Sequence, residues 1–260
     1  MATTTKIILI MEYDGSNYHG SQLQANLPTI QGEIEKALWK LTGMRTRVSA
    51  ASRTDAGVHA EGQVVSFMTE SPLPAQTFIN GLNHYLPRDI AVKVAHRIDD
   101  SFNVRHDAIS REYNYYILNS LTRSPMREGF AYLVCSHLDI EAMNQACQTL
   151  IGKHDFASFA TCIGDRIQNP VRNVYRAGMR KDGDLAIFNI VANSFLTHQI
   201  RNTVGSLIKV GSGKMNVDEF YSILKAKRPG ATGPTVPACG LCLMRVNYTG
   251  PFQGRCNENT

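Results

Sequence analysis

An α+β fold of two ferredoxin-like βαββαβ halves, packed with a central mixed, mainly antiparallel sheet and a cleft between them, is predicted by this 260-residue sequence. Apolar periods of two and of 3.6 follow one another in the order β-α-β-β-α-β, and the order then recurs in the second half. The joint, near residues 101–110, lacks the Gly/Ser richness of a flexible tether, so the halves are expected to pack together. A composition 43% hydrophobic and 19% charged supplies ordinary globular cores. The halves are drawn at residues 1–105 and 106–250, with residues 251–260 as a tail.

The elements follow in order. Residues 6–12 are β-branched and apolar, a first strand, and Asp14-Gly15-Ser16-Asn17 turns the chain. Ile30, Ile34, Ala37, Leu38 and Leu41 then share one helical face, with Thr29 as N-cap and Gly43 as stop. Residues 45–51 and 63–69 read as strands. Residues 74–85 read as a helix opened by Pro74 and closed by Leu86-Pro87, and residues 90–97 as a strand. In the second half, a Tyr-rich strand at 111–118 precedes a helix at 139–151. A hairpin of 172–180 and 185–191 forms around Asp182-Gly183. Helices at 197–210 and 217–227, a Pro/Gly-rich loop at 228–238 and a strand at 241–246 close the chain.

The net charge is +5, with 17 arginines among the 27 basic residues, which suits forked contacts to phosphate. Arg45, Arg47, Arg88, Arg105, Arg111, Arg172 and Arg176 are candidates for such contacts. No apolar run reaches the length of a membrane span and residues 6–11 are too short for a signal-peptide core, so no membrane association and a cytoplasmic location are expected. Of six cysteines (135, 147, 162, 239, 242 and 256), Cys239 and Cys242 form a CxxC. No second pair completes a zinc site, and the six read as reduced thiols. Neither metal nor cofactor is expected, since P-loop, HExxH, dinucleotide-glycine and nucleophile-elbow patterns are all absent.

The chemistry centres on residues 49–60, S-A-A-S-R-T-D-A-G-V-H-A. A carboxylate at a strand end has a guanidinium two residues before it and an imidazole four residues after it. Small neighbours would let a ligand's backbone approach. Taken alone, Asp55 also reads as an ordinary turn aspartate. Arg201, one turn into a second-half helix, pairs with Asp55 if that helix faces the loop, and otherwise is a solvated helix arginine. Tyr113 and Tyr115 share a strand face, which on its own is also ordinary aromatic packing.

The motifs become specific as a set. Tyr13-Asp14-Gly15, Thr29-Ile30-Gln31-Gly32, residues 52–60, Arg111-Glu112-Tyr113, Gly152-x-His154-Asp155-Phe156-x-Ser158-Phe159, Phe195-Leu196 to Arg201-Asn202 and Gly240-Leu241 occur in this order. From about residue 6 to residue 246 the chain closely resembles the TruA-type tRNA pseudouridine synthases. It departs from them at Ser52, where Gly is usual, at Ser21, where Trp is usual, and at Gln199, where Met predominates.

The resemblance implies isomerisation of uridine to pseudouridine in the tRNA anticodon stem-loop, around positions 38, 39 and 40, on a flipped-out nucleotide. It implies a cofactor-free homodimer, one tRNA spanning both subunits, with the catalytic cleft between the halves. Asp55 becomes the essential carboxylate, kept ionised by Arg201. Whether Asp55 attacks C1′, adds to the ring or removes a sugar proton stays open. Tyr113 packs on the base, Arg53 fills the vacated space or holds the phosphate, and Leu241 walls the pocket. His59 binds substrate or fixes the loop. Two other readings remain: a catalytically silent RNA-binding module, and a glycosidase-like hydrolase drawing a second carboxylate from Asp14 or Glu12.

Overall fold

The computed structural model describes residues 4–161 and 169–249; Cys162, Cys256 and the tail at 251–260 lie outside the described residues. Among the described residues, ten strands, mostly antiparallel, and five α-helices give an α+β protein. They form two compact units, one of residues up to Arg111 together with the stretch from Cys242, the other Glu112–Leu241.

In the first unit β1 (Thr5–Tyr13) lies between β3 (His59–Thr69) and β4 (Ile90–Ile98), antiparallel to both. The two-residue β2 (Ser49–Ala50) pairs with β3 on its far side, so the order is β4-β1-β3-β2, the ferredoxin-like arrangement. Ile7, Ile8, Leu9, Ile10 and Met11 are each 1% exposed or less, so β1 is covered on both faces and reads as an unbroken apolar run. The final strand β10 (Leu241–Tyr248) adds to β3 in parallel, Cys242 opposite His59 and Leu243 opposite Ala60.

Helix α1 (Ile30–Thr42) starts where Thr29 Oγ1 accepts the Gly32 N–H and stops at Gly43, in the left-handed region at φ 74°. Helix α2 (Ala75–Tyr85) follows Pro74, and its Phe78 meets Phe67 of β3 edge-on, centroids 5.6 Å apart.

The expected strand at 45–51 shrinks to β2, for a physical reason. Side chains of α1 take the backbone groups a ladder would have used: Val48 N–H donates to Glu35 Oε1 at 3.2 Å, and Gln31 Nε2 donates to the Val48 carbonyl at 3.3 Å.

In the second unit the order is β5-β9-β8-β7, with β6 parallel to β5. The elements are β5 (Ala108–Asn119, which begins in the first unit), β6 (Tyr132–Val134), α3 (Ile140–Gln148), β7 (Gly152–Asp155), β8 (Val171–Asp182) and β9 (Leu185–Ala192). Helices α4 (Gln199–Gly211) and α5 (Val217–Ala226) follow. The hairpin turns at Gly183, φ 60°, as the Asp-Gly pair predicts. Met143, Cys147, Phe156, Phe159, Phe188, Val204 and Phe220 are fully buried, and each contributes about 1.5–3 kcal/mol to this core. Strands β6 and β7 have no sequence counterpart, since neither Tyr-Leu-Val nor Gly-Lys-His-Asp is long enough to show a period.

Candidate active site

The Asp55 loop leaves β2 at Ala51, whose N–H bonds the Val64 carbonyl at 2.8 Å, and enters β3 at His59. Within it Thr54 is buried, while Arg53 is exposed and Asp55 half-buried, so the flanking charged side chains turn away from the core. Val58 N–H closes the turn on the Asp55 carbonyl at 3.2 Å.

Below the loop lies a buried polar network. The Tyr13 hydroxyl shares a hydrogen bond with Thr54 Oγ1 at 2.8 Å and accepts from Gln63 Nε2 at 3.4 Å. Burial pushes the Tyr13 phenol up to about 12, so it remains a neutral structural bridge. The β1–β3 register shifts between Met11 and Tyr13, a bulge that re-aims the last residue of β1.

Gly15 shows why the Tyr13-Asp14-Gly15 motif belongs to this loop. A Cβ there would lie 2.0 Å from the Val58 carbonyl oxygen, so the two backbones touch and no side chain fits. Gly15 N–H also reaches His59 Nδ1 at 3.1 Å. Asp14 Oδ1 is equally close to that nitrogen, which would make an ion pair only if Nδ1 carried a proton. The Gly15 N–H is directed at Nδ1, and Asp14 Oδ1 also accepts the Ser16 N–H at 2.9 Å. His59 therefore fastens the 14–16 turn to the start of β3 through its Nδ1 edge.

Arg111 is 7% exposed, and its guanidinium clamps backbone: Nη1 donates to the Ala108 carbonyl at 3.0 Å, Nη2 to those of Ala51 and Arg105 at 3.1 and 2.7 Å. It braces the approach to the Asp55 loop, where charge alone suggested a phosphate contact. Arg47 pairs with Glu35, and Arg176 with Glu112. Arg172 is turned onto the carbonyls of Asn169 and Val171. Arg45, Arg88 and Arg105 stand exposed.

In the second unit, Tyr113 is 5% exposed and its ring stands edge-on to Phe195, centroids 5.3 Å apart and planes at 86°. Tyr115, on the same strand face, donates its hydroxyl to the Pro237 carbonyl at 2.7 Å, and burial raises its phenol far above the usual range.

The residues before α4 form a tight turn. His198 sits at φ 60°, its Nδ1 3.0 Å from Thr161 Oγ1, and Gln199 Oε1 accepts the Leu196 N–H at 2.9 Å. Asn202 Nδ2 donates to the Phe159 carbonyl at 2.9 Å and its Oδ1 accepts from Thr235 at 2.7 Å. Two residues after Gln199, Arg201 Nε donates to the Val236 carbonyl at 2.8 Å, and the guanidinium acts electrostatically on Tyr115 and Cys239. Leu241, 6% exposed, begins β10 after Gly240, where a Cβ would fall 2.7 Å from the Tyr115 ring.

Arg53, Asp55 and His59 thus share one loop of the first unit, and Tyr113, Arg201 and Leu241 belong to the second. Among the described residues no three His, Cys, Asp or Glu side chains converge as metal ligands, and no helix is long and apolar enough to cross a membrane. Sequence reasoning named Tyr13 and Phe195 only as motif members, Ser21 only as a departure and Gln63 only as the start of a strand, without their hydrogen-bond or ring partners. A glutamine inside the apolar run of β3 was a signal, because a buried amide demands partners.

Comparison with known proteins gives the class. A family model described as tRNA pseudouridine synthase matches residues 9–107 and 146–249, and the chain belongs to this family of enzymes, which isomerise uridine in tRNA to pseudouridine. Similar relatives carry the name tRNA pseudouridine synthase A. One, from Exiguobacterium sp., is 42% identical over 243 residues, covering 94% of this chain and 98% of the relative. Another, from Francisella tularensis subsp. novicida, is 41% identical over 243 residues, covering 93% of each. A third, from Thermoanaerobacter sp. (strain X514), is 40% identical over 242 residues, covering 93% of this chain and 99% of the relative.

Proposed function

We infer that the chain converts uridines of the tRNA anticodon stem-loop, around positions 38, 39 and 40, with Asp55 as the essential carboxylate. The observation that carries this reading is the Asp55 loop itself: a half-buried carboxylate on a short segment whose neighbours are locked by buried hydrogen bonds. The reaction breaks the N1–C1′ bond, turns the uracil and joins C5 to C1′. C5 loses its proton, N1 ends protonated, and substrate and product have the same atoms. No electron donor or group carrier is consumed.

Attack at C1′, addition to the ring and removal of a sugar proton each require Asp55 ionised, and the Arg201 guanidinium supplies the opposite charge. Tyr113 stacks on the base, held by Phe195, while Leu241 contributes an apolar wall. Arg53 holds the phosphate or the space left by the everted nucleotide, and His59 acts by keeping the loop in place. The enzyme works in the cytoplasm as a homodimer with one tRNA spanning both subunits, and the exposed Arg45, Arg88 and Arg105 are open to its phosphates.

For the hydrolase reading, the carboxylates in question have other partners: Glu12 pairs with Lys93 at 3.1 Å and Asp14 accepts from Ser16. The test is pseudouridine mapping on tRNA from a strain lacking this gene. Sites at positions 38–40 should disappear and return on restoring it, whereas loss at other positions would relocate the substrate.

A further inference from the structure

Ser21 and Gln63 grip the backbone on both sides of Arg53, one residue short of Asp55. Thr54 N–H donates to Ser21 Oγ at 2.8 Å, and the Thr54 carbonyl accepts from Ser21 N at 3.0 Å and from Ser21 Oγ at 3.4 Å. Two positions earlier the pattern repeats with an amide. Ser52 N–H donates to Gln63 Oε1 at 3.3 Å, and Gln63 Nε2 donates to the Ser52 carbonyl at 2.8 Å. The Tyr13 hydroxyl joins the two clamps, in contact with Thr54 and Gln63. Ser21 is 5% exposed, Gln63 1%, Thr54 8% and Tyr13 4%, so water cannot replace a lost partner.

The Ser21 clamp is itself anchored. Its carbonyl accepts the Gln31 N–H at 3.0 Å, and the Gly20 carbonyl accepts that of Ile30 at 3.3 Å. These are among the first-turn donors of α1 that have no partner inside the helix. Rigidity therefore passes from the α1 N-terminus through Ser21 to the peptide plane that aims Asp55. The hydroxyl is fully used, with its lone pair on Thr54 N–H and its hydrogen on the Thr54 carbonyl, so no methyl or indole at position 21 could reproduce it.

We propose that Ser21 and Gln63 are positioning residues for pseudouridine formation, holding Asp55 and Arg53 at the reacting geometry without touching the nucleotide. The inference rests on the reading of Asp55 as the essential carboxylate.

The experiment measures kcat, KM, tRNA affinity and Tm for Ser21→Ala, Ser21→Thr, Gln63→Met and Asp55→Asn on one unmodified tRNA transcript. Ser21→Ala and Gln63→Met should each lower kcat by about 10- to 100-fold while KM and tRNA affinity stay within about twofold. Ser21→Thr, which keeps the hydroxyl, should recover kcat to within about threefold of the parent. Gln63→Met carries the test if Ser21→Ala does not fold. An unchanged kcat in Ser21→Ala, or a fall in kcat that tracks lost tRNA affinity and folded fraction, overturns the proposal. Activity retained by Asp55→Asn would instead sink the underlying reading, whatever the other variants do.

Discussion

Asp55→Asn should fold, bind tRNA within a few-fold of the parent and form no measurable pseudouridine. The substitution keeps size and shape but removes the negative charge that each route for the carboxylate needs. The turn is closed by the Asp55 carbonyl, and the neighbouring backbone is held through Ser21 and Gln63, so the fold of the loop has supports besides the carboxylate. A loss of at least about 10⁴-fold in kcat is expected, the scale on which an essential group of a catalytic unit is missed. Binding measured beside turnover decides the case. If both vanish together, Asp55 is part of the scaffold and the catalytic assignment fails.

Arg201→Lys should cost about 100-fold in kcat, with tRNA affinity close to that of the parent. A planar guanidinium tied through Nε to the Val236 carbonyl is held in one orientation. An ammonium on a flexible stem keeps the charge and loses the orientation. The effect resembles removal of one preorganised electrostatic donor, which usually costs 10²–10³ in rate. Helix α4 would be little disturbed, because its start is set by Gln199 and Asn202. Turnover within about threefold of the parent would remove Arg201 from the catalytic set.

What could be read from the chain divides by distance. Local signals served well. Thr29 and Gly43 bracket α1, Asp182-Gly183 turns the hairpin, and residues 52–60 announce their loop. Signals that depend on remote partners did not. Residues 45–48 have the look of a strand, yet Glu35 and Gln31 occupy their backbone groups. Arg111 resembles every other arginine until folding buries it against three carbonyls. Ser21 stands out only as a departure from the family's usual Trp, with no local cue to its hydrogen bonds. Its value arises where a turn before α1 meets a loop that begins some thirty positions later, and only coordinates show that meeting. His59 was visible as an imidazole near a carboxylate, but its tie to the Gly15 N–H appears only in the folded chain.

The pairing of β10 with β3 has a consequence for synthesis. Cys242 and Leu243 lie against His59 and Ala60, where the Asp55 loop ends, and the Gly62 backbone is in close contact with Met244. Until β10 is made, the start of β3 at His59 and Ala60 lacks its partner strand, while Val65 and Ser66 already have β2 beside them. Pairing His59 and Ala60 with residues so far along the chain closes a long loop, which is slow. Chains stalled before residue 241 should be cut by protease around residues 52–58, whereas the released protein should resist. Order at the end of the reactive loop is thus coupled to a strand far downstream in the sequence.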